Sequence, residues 1–170
     1  MISNSSPLIH LTRLGKMGYL MKAYPSLTIP DAVRSETIEK GKNGGYSDAL
    51  ILERLETEGW LETVTLSSVQ STRTARDLGK EIGKGEAEAI ALALEKKERL
   101  LMDDQKGRQV ADLYGIETTT TLGIMFELLM DGVLTKEDYR RNVKNYSSQG
   151  WITAEIVQEF LEQGERVNYE

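Results

Sequence analysis

The chain has 170 residues, 39% of them apolar and 28% charged, and a formal net charge of -6. This composition is that of a globular protein of one domain, and no apolar run approaches the roughly 20 residues that cross a bilayer. Without cysteine, the chain has neither disulfides nor thiolate chemistry, and its acidity argues against a surface that coats nucleic acid. We expect no membrane contact, no secretory signal and a cytoplasmic location.

The first half of the chain alternates strands and helices. A very short strand at Ile2 and Ser3 precedes a helix that Ser6 caps and Pro7 enters. An amphipathic piece over 16–23 leads to a strand over 27–29, which stops at Pro30, and Asp31 begins the next helix. The run from Lys40 to Gly45 predicts a loop, since it contains three glycines.

The second half repeats this alternation. The sequence predicts helices over 47–58, 72–82, 86–97, 106–114 and 122–130, with strands over 61–66, 100–102 and 116–119. Two further helices follow, and the last has an apolar stripe. Elements of this order and length predict an α/β fold whose central parallel sheet of about five strands is covered by helices on both faces. We expect one domain over 1–170 with a helical C-terminal extension at about 133–170.

Polar residues stand where several of these strands end. Ligands of open α/β sheets bind beyond the carboxyl ends of the strands, and Asn4 and the pair Asp103 and Asp104 fall there. With Glu36 and Glu86, they would form an oxygen-rich cup that suits a hard divalent cation. Such a site would favour hydrolysis of phosphate esters.

Taken singly, each of these residues has an ordinary structural role. Neighbouring side chains of a strand point to opposite faces, so we expect one of Asp103 and Asp104 to be a direct ligand and the other either to bind through water or to cap the helix near Gln105. Glu86 and Glu88 lie some 200° apart around their helix and cannot face the same site. The position of Glu86 in the first turn, beside free amides, slightly favours it.

Other motifs carry less weight. His10 lacks the partners of a catalytic triad, so we assign it no catalytic role, and a single histidine without cysteine makes a zinc site improbable. Gly83-Lys84-Gly85 lacks the remainder of a phosphate-binding loop.

Several segments, taken in order, resemble the PIN-domain family. They are ISNSSPLIHL (2–11), TIPDAVRSET (28–37), GKGEAEAIALAL (83–94), RLLMDDQKGRQVADLYGI (99–116) and TTTTLGI (118–124). Within the family, the chain is similar to a PIN-like prokaryotic group of uncharacterised proteins related to VapC-type toxins. The resemblance covers about residues 1–132.

The resemblance implies a three-layer sandwich and a ribonuclease dependent on Mg²⁺ or Mn²⁺. Carried over by segment, the metal-binding positions are Asn4, Glu36, Glu86 and Asp104, with Asp103 as a close neighbour. Asp is the family's usual residue where Asn4 stands. The resemblance also implies a small antitoxin as partner and a homodimer.

Three hypotheses follow. In the first, Glu36, Glu86 and Asp104 are the catalytic residues of an endoribonuclease, and Asn4 is a neutral ligand. The RNA backbone would contact Lys84, Lys106 and Arg108, although each of these also fits a solvated surface. In the second, Asn4 marks a catalytically weakened binding or regulatory module. In the third, the chain is another Mg²⁺-dependent phosphate-transfer enzyme, which the lack of Asp at the first strand end disfavours.

Overall fold

A five-stranded parallel sheet forms the centre of the protein in the computed structural model, which describes residues 1–167. The strand order is β3-β2-β1-β4-β5, so the first strand lies in the middle. The strands are β1 (Ile2–Ser3), β2 (Leu27–Pro30), β3 (Leu61–Val64), β4 (Leu100–Leu101) and β5 (Thr118–Thr119). The predicted α/β class with a parallel sheet of five strands is confirmed.

Helices follow the strands and cover both faces of the sheet. They are α1 (Ser5–Arg13), α2 (Met17–Ala23), α3 (Asp31–Arg34), α4 (Lys40–Asn43), α5 (Ser47–Thr57), α6 (Val69–Leu78), α7 (Lys84–Lys96), α8 (Gln105–Leu113), α9 (Thr121–Met130), α10 (Lys136–Ser148) and α11 (Ala154–Arg166). A π-helical segment, Ser35–Glu39, joins α3 to α4. Two clusters of buried apolar side chains result, one on each side of the sheet. The layers are helix, sheet and helix, as a PIN-like sandwich requires.

Several predicted boundaries are wrong. Helix α1 begins two residues earlier than predicted, at Ser5, and its N-cap is Asn4 rather than Ser6. Helix α6 covers Val69–Leu78 instead of the predicted 72–82, because Ser68 is its N-cap. The predicted loop from Lys40 to Gly45 is helical as far as Asn43, because the π-helical segment carries the chain on from α3. The turn itself is confined to Gly44 and Gly45.

The C-terminal helices are part of the core. Tyr139, Val143 and Tyr146 of α10 are buried in the same cluster as residues of α1 and α9. The Tyr139 hydroxyl donates a hydrogen bond to the Phe160 carbonyl at 2.9 Å, which ties α10 to α11. The predicted domain extends to residue 170, and its last three residues lie outside the described part of the chain.

Within residues 1–167, no helix has both the length and the apolar character that a membrane crossing demands.

Candidate active site at the carboxyl edge of the sheet

The carboxyl ends of β1 and β4 place several of the predicted residues at one edge of the sheet. Ser3 is in register with Leu101, and the Asn4 amide donates to the Leu101 carbonyl at 3.2 Å. The chain then turns into α1 after Asn4 and into α8 after Asp104. These two turns form the base of the candidate site.

Asn4 is completely buried, yet its side chain is only partly hydrogen-bonded. Its Nδ2 donates to Glu86 Oε1 at 3.4 Å, and the side chain does not cap α1. Its Oδ1 accepts no hydrogen bond from the described residues. A buried acceptor left unsatisfied costs about 1–3 kcal/mol, which favours a bound water or ion at that oxygen.

The carboxylate of Glu36 lies beside the first turn of α1. Glu36 belongs to the π-helical segment, a local irregularity that is frequent at functional sites. The Ser5 hydroxyl donates to its Oε2 at 2.5 Å. A Cβ atom at Gly85 would lie 2.5 Å from the same oxygen, so α7 approaches Glu36 as closely as only glycine permits. Glu36 is therefore held between α1 and the start of α7.

The two glutamates of the first turns of α7 point to different places. Glu86 faces Asn4, whereas Glu88 Oε2 accepts a hydrogen bond from the Ala32 amide at 2.8 Å, at the start of α3. Gly83 makes room for the Glu86 carboxylate, because any Cβ at residue 83 would collide with it. Glu86 is thus the member of the pair that shares a site with Asn4.

The two adjacent aspartates also have separate roles. Asp104 is the N-cap of α8, since its Oδ1 accepts a hydrogen bond from the Gly107 amide at 2.7 Å. Lys106, in the first turn of α8, donates to the Glu81 carbonyl in the loop before α7, at 2.5 Å. That contact joins the Asp104 turn to the α7 side of the site.

Asp103 belongs to a buried polar network that no pattern in the sequence indicated. Its Oδ1 accepts from the Thr121 amide at 2.7 Å. Its Oδ2 contacts His10 Nδ1 at 2.8 Å, the Thr121 hydroxyl at 2.7 Å and the Tyr146 hydroxyl at 3.1 Å. Burial alone would raise the pKa of the Asp103 carboxyl, but the hydrogen bonds from His10 and Thr121 outweigh it and lower that pKa. Both Asp103 oxygens are thereby committed to the protein.

The Tyr146 hydroxyl is another buried member of this network. Burial of this side chain raises the pKa of the Tyr146 hydroxyl, and the nearby negative charge of Asp103 raises it further. The hydroxyl therefore stays a hydrogen-bond donor to Asp103 throughout the physiological range. The network links α1, the end of β4, α9 and α10.

The residues proposed for metal binding thus divide into groups. Within residues 1–167, no three carboxylate, histidine or cysteine side chains are gathered closely enough to hold an ion on their own. Asn4 contacts Glu86, and the neighbouring Ser5 contacts Glu36 at the first turn of α1, whereas Asp104 caps α8. An amide oxygen free to accept, with carboxylates around it, is nevertheless a donor set that Mg²⁺ or Mn²⁺ prefers, so these residues fit such an ion.

The three basic residues considered for RNA contact differ in their availability. Lys84 is 79% exposed and lies 3.7 Å from Glu88, a weak surface pair. Lys106 is engaged with the Glu81 carbonyl, and Arg108 donates to the carbonyls of Met102 and Asp103. Lys84 is the one whose charge is freest to meet a phosphate.

A basic groove runs between α6 and α7 next to this site. Its volume is about 510 Å³. It is lined by Leu66, Thr72, Ala75, Arg76, Gly79, Lys80, Lys84 and Glu88. Three cations and one carboxylate line this groove, and two of the cations form exposed ion pairs, Lys80 with Asp77 and Lys84 with Glu88. The lining therefore has a net positive charge on a chain whose net charge is negative.

Comparison with known families agrees with this architecture. A family model described as PIN domain matches residues 1–166, which is nearly the whole chain and includes both C-terminal helices. The chain therefore belongs to the PIN-domain family. PIN domains are generally nucleases and generally use divalent metals. A search of curated proteins found no significant match.

Proposed function

We propose that the chain is an endoribonuclease dependent on Mg²⁺ or Mn²⁺. The observation that carries the proposal is the buried Asn4 Oδ1 at the carboxyl edge of the sheet, which accepts no hydrogen bond from residues 1–167, with Asn4 in contact with Glu86 and its neighbour Ser5 in contact with Glu36. In this proposal, the three oxygen-bearing side chains, which come from distant parts of the sequence, share one ion. That arrangement fits a site for a hard cation better than it fits a stabilising network.

In this proposal Asn4, Glu36, Glu86 and Asp104 hold the ion, and Asp103 stays in its hydrogen-bond network. The bound ion would activate water and stabilise negative charge on the phosphate. Ser5 orients Glu36 through its hydroxyl. Lys84 and the groove between α6 and α7 bind the RNA backbone, while Lys106 and Arg108 act mainly by fixing the loops that bear the site.

Cleavage of single-stranded RNA in Mn²⁺ tests the proposal. Glu86→Gln and Asp104→Asn each remove one charged ligand, and we expect either change to lower the rate about 10²-fold or more. Asp112→Asn is the matched control, since Asp112 is exposed on α8, the helix that Asp104 caps. Unchanged cleavage in both Glu86→Gln and Asp104→Asn would overturn the assignment.

A second candidate is a binding or regulatory module whose catalysis is weakened. It is favoured by the neutral Asn4, which donates its amide to Glu86 instead of adding charge to the site. Calorimetry with Mn²⁺ separates the two candidates. Failure to bind millimolar Mn²⁺, with RNA binding retained and with metal affinity gained in Asn4→Asp, would support the second candidate.

The remaining parts of the proposal rest on the family likeness. They are a toxin role beside a small antitoxin, assembly as a homodimer and action on RNA in the cytoplasm. The toxin role and the action on RNA need RNA hydrolysis to be established first, whereas the oligomeric state can be measured directly on the purified chain.

A further inference from the structure

A second cavity of about 480 Å³ lies between the C-terminal helices and the ends of β4 and β5. Its size is within the range of about 300–1,000 Å³ that is usual for small-molecule pockets. It is lined by His10, Asp103, Gln105, Arg108, Thr120, Leu122, Tyr146, Trp151, Ile152, Thr153, Ile156, Glu159 and Phe160. The assigned metal-binding residues Asn4, Glu36, Glu86 and Asp104 do not line it.

Aromatic rings line one side of this cavity. The rings of His10 and Trp151 are stacked with their centroids 3.7 Å apart and their planes at 21°. Tyr146 meets the Trp151 ring edge-on at 5.1 Å. Asp103 hydrogen-bonds to both His10 and Tyr146, and Trp151 packs against these two positioned rings.

The walls combine apolar surface with a polar rim. Leu122, Ile152 and Phe160 supply aliphatic and aromatic faces. Gln105, Thr120, Thr153 and Glu159 supply donors and acceptors around them. A ligand complementary to these walls is flat, has apolar faces and carries hydrogen-bonding groups at its edge, which is a description of a nucleobase.

The cavity adjoins the proposed catalytic edge through Arg108. Arg108 is four residues after Asp104 on α8, so the two lie on the same side of the helix. Its guanidinium donates to the Asp103 carbonyl, at the point where the chain passes from the cavity to the Asp104 turn. The contacts of Arg108 with the Met102 and Asp103 carbonyls both use Nη1, so within the described part of the chain its Nη2 group remains available for the phosphate of a nucleotide whose base occupies the cavity.

We propose that this cavity binds one unpaired nucleobase of the RNA, next to the phosphate that is cut, and so sets the sequence preference of cleavage. The inference rests on the proposed function for the identity of its ligand as RNA. Single-stranded RNA is recognised mainly through splayed bases that stack on aromatic side chains and offer their edges for hydrogen bonding. Trp151, Tyr146 and the polar rim provide both kinds of contact.

Trp151 fluorescence tests this without metal or cleavage. The chain has two tryptophans, and Trp60→Phe leaves Trp151 as the sole tryptophan, whose emission is excited selectively at wavelengths that tyrosine does not absorb. The four ribonucleoside 5′-monophosphates are titrated against this variant, with ribose 5-phosphate as the ligand that lacks a base. We expect saturable quenching by at least one nucleotide and none by ribose 5-phosphate. Equal quenching by both, or by neither, would overturn the inference.

A substitution that fills the cavity provides a second test of the proposed base pocket. Ile156→Phe places extra volume in the cavity from α11, where Ile156 is 39% exposed, and we expect at least a tenfold loss of nucleotide affinity. Ile51→Phe is the matched control, because Ile51 is 45% exposed on α5 and does not line the cavity. Calorimetry on chains that retain Trp60 repeats the comparison in case Trp60→Phe disturbs the core. Equal affinity in both variants would contradict the assignment of the cavity.

The outcomes for the cavity and for the nuclease are separable. Nucleotide binding without RNA cleavage in Mn²⁺ would support the base pocket and contradict the nuclease function. RNA cleavage with no nucleotide binding, and with an unchanged cut pattern in Ile156→Phe, would support the nuclease function and contradict the base pocket.

Discussion

At the residue scale, the glycines before and within α7 make room for the site. Gly83 and Gly85 looked in the sequence like an incomplete phosphate loop. In the structure, each lies against a carboxylate, Gly83 against Glu86 and Gly85 against Glu36. Their lack of a side chain allows the Glu86 side chain to fold back over Gly83 and the Glu36 carboxylate to approach the first turn of α7.

Gly85→Ala should therefore weaken metal binding while leaving the stability of the fold nearly unchanged. The new methyl group must displace the Glu36 carboxylate, so we expect at least a tenfold loss of Mn²⁺ affinity by calorimetry. Alanine is the better helix former by about 1 kcal/mol, so the free energy of unfolding should not fall by much.

Gly18→Ala is the control for this change. Gly18 lies in α2, where an added Cβ meets nothing within 4 Å, so this variant should keep the Mn²⁺ affinity of the natural chain. Equal affinity in Gly85→Ala and Gly18→Ala would mean that the Glu36 carboxylate is not part of the site.

Sequence reasoning could predict some of these contacts and not others. The ends of parallel strands share one edge, so Asn4 and the aspartates were expected near each other. The contact of His10 with Asp103 joins residues 93 positions apart, and no local pattern marks it. Which aspartate caps α8 also depended on where β4 ends, which is one residue earlier than predicted.

The Asp103 network predicts a specific acid dependence of stability. The pKa of this carboxyl is lowered in the folded chain, so its ionised form stabilises the fold above about pH 4. This contribution is lost as the pH falls through the lowered value. We expect Asp103→Asn to reduce the free energy of unfolding at neutral pH by about 1–3 kcal/mol and to lessen its decline in acid.

Urea unfolding at a series of pH values measures both effects. Asp112→Asn, on the exposed side of α8, should follow the natural chain at every pH. If Asp103→Asn and the natural chain lost stability in parallel as the pH fell, the ionised Asp103 would not be the stabilising form.

At the scale of elements, the order of strands and helices followed from the sequence, and the errors lie where packing overrides local preference. The three glycines at 41, 44 and 45 suggested a loop, but Gly41 lies against α5. A Cβ at Gly41 would be 2.7 Å from the Ala49 Cβ, so its helical position depends on a neighbour 8 residues away. The helix propensities of single residues cannot predict a contact of this kind.

The groove between α6 and α7 predicts where the RNA backbone lies. Arg76→Glu combined with Lys80→Glu should weaken binding of single-stranded RNA about tenfold or more. The slope of log affinity against log salt concentration should become shallower by about 0.7 for each phosphate that no longer meets a cation. Fluorescence anisotropy at several salt concentrations, without metal, measures both quantities.

Lys40→Glu combined with Lys144→Glu makes the same change of net charge on exposed residues outside the groove. This control should reduce the affinity only slightly. Equal reductions in the two double variants would show that net charge, rather than the groove, governs binding.

At the scale of the whole molecule, the C-terminal helices complete the core. Tyr139 is 2% exposed and Val143 is fully buried, in contact with the cluster that includes α1 and α9. The sequence predicted an amphipathic last helix but did not reveal its partner. Gly164 of α11 packs on the Tyr139 ring, so closely that a Cβ would collide with it.

A chain that ends at Gly132 should consequently not fold cooperatively. Removing α10 and α11 uncovers the apolar faces of α1 and α9 and breaks the Asp103 network at Tyr146. Thermal unfolding followed by circular dichroism measures this. A shortened chain that melts cooperatively near the temperature of the full chain would show that the helices are an independent addition.

One ion shared by Asn4, Glu36 and Glu86 is the central feature of the proposed site. Crystals grown with Mn²⁺ and measured at its absorption edge test this directly. We expect an anomalous peak within coordination distance of Asn4 Oδ1 and of both glutamate carboxylates, with Asp104 turned toward it. Saturating Mn²⁺ with no peak at this edge of the sheet, or with a peak bound by other residues, would contradict the shared ion.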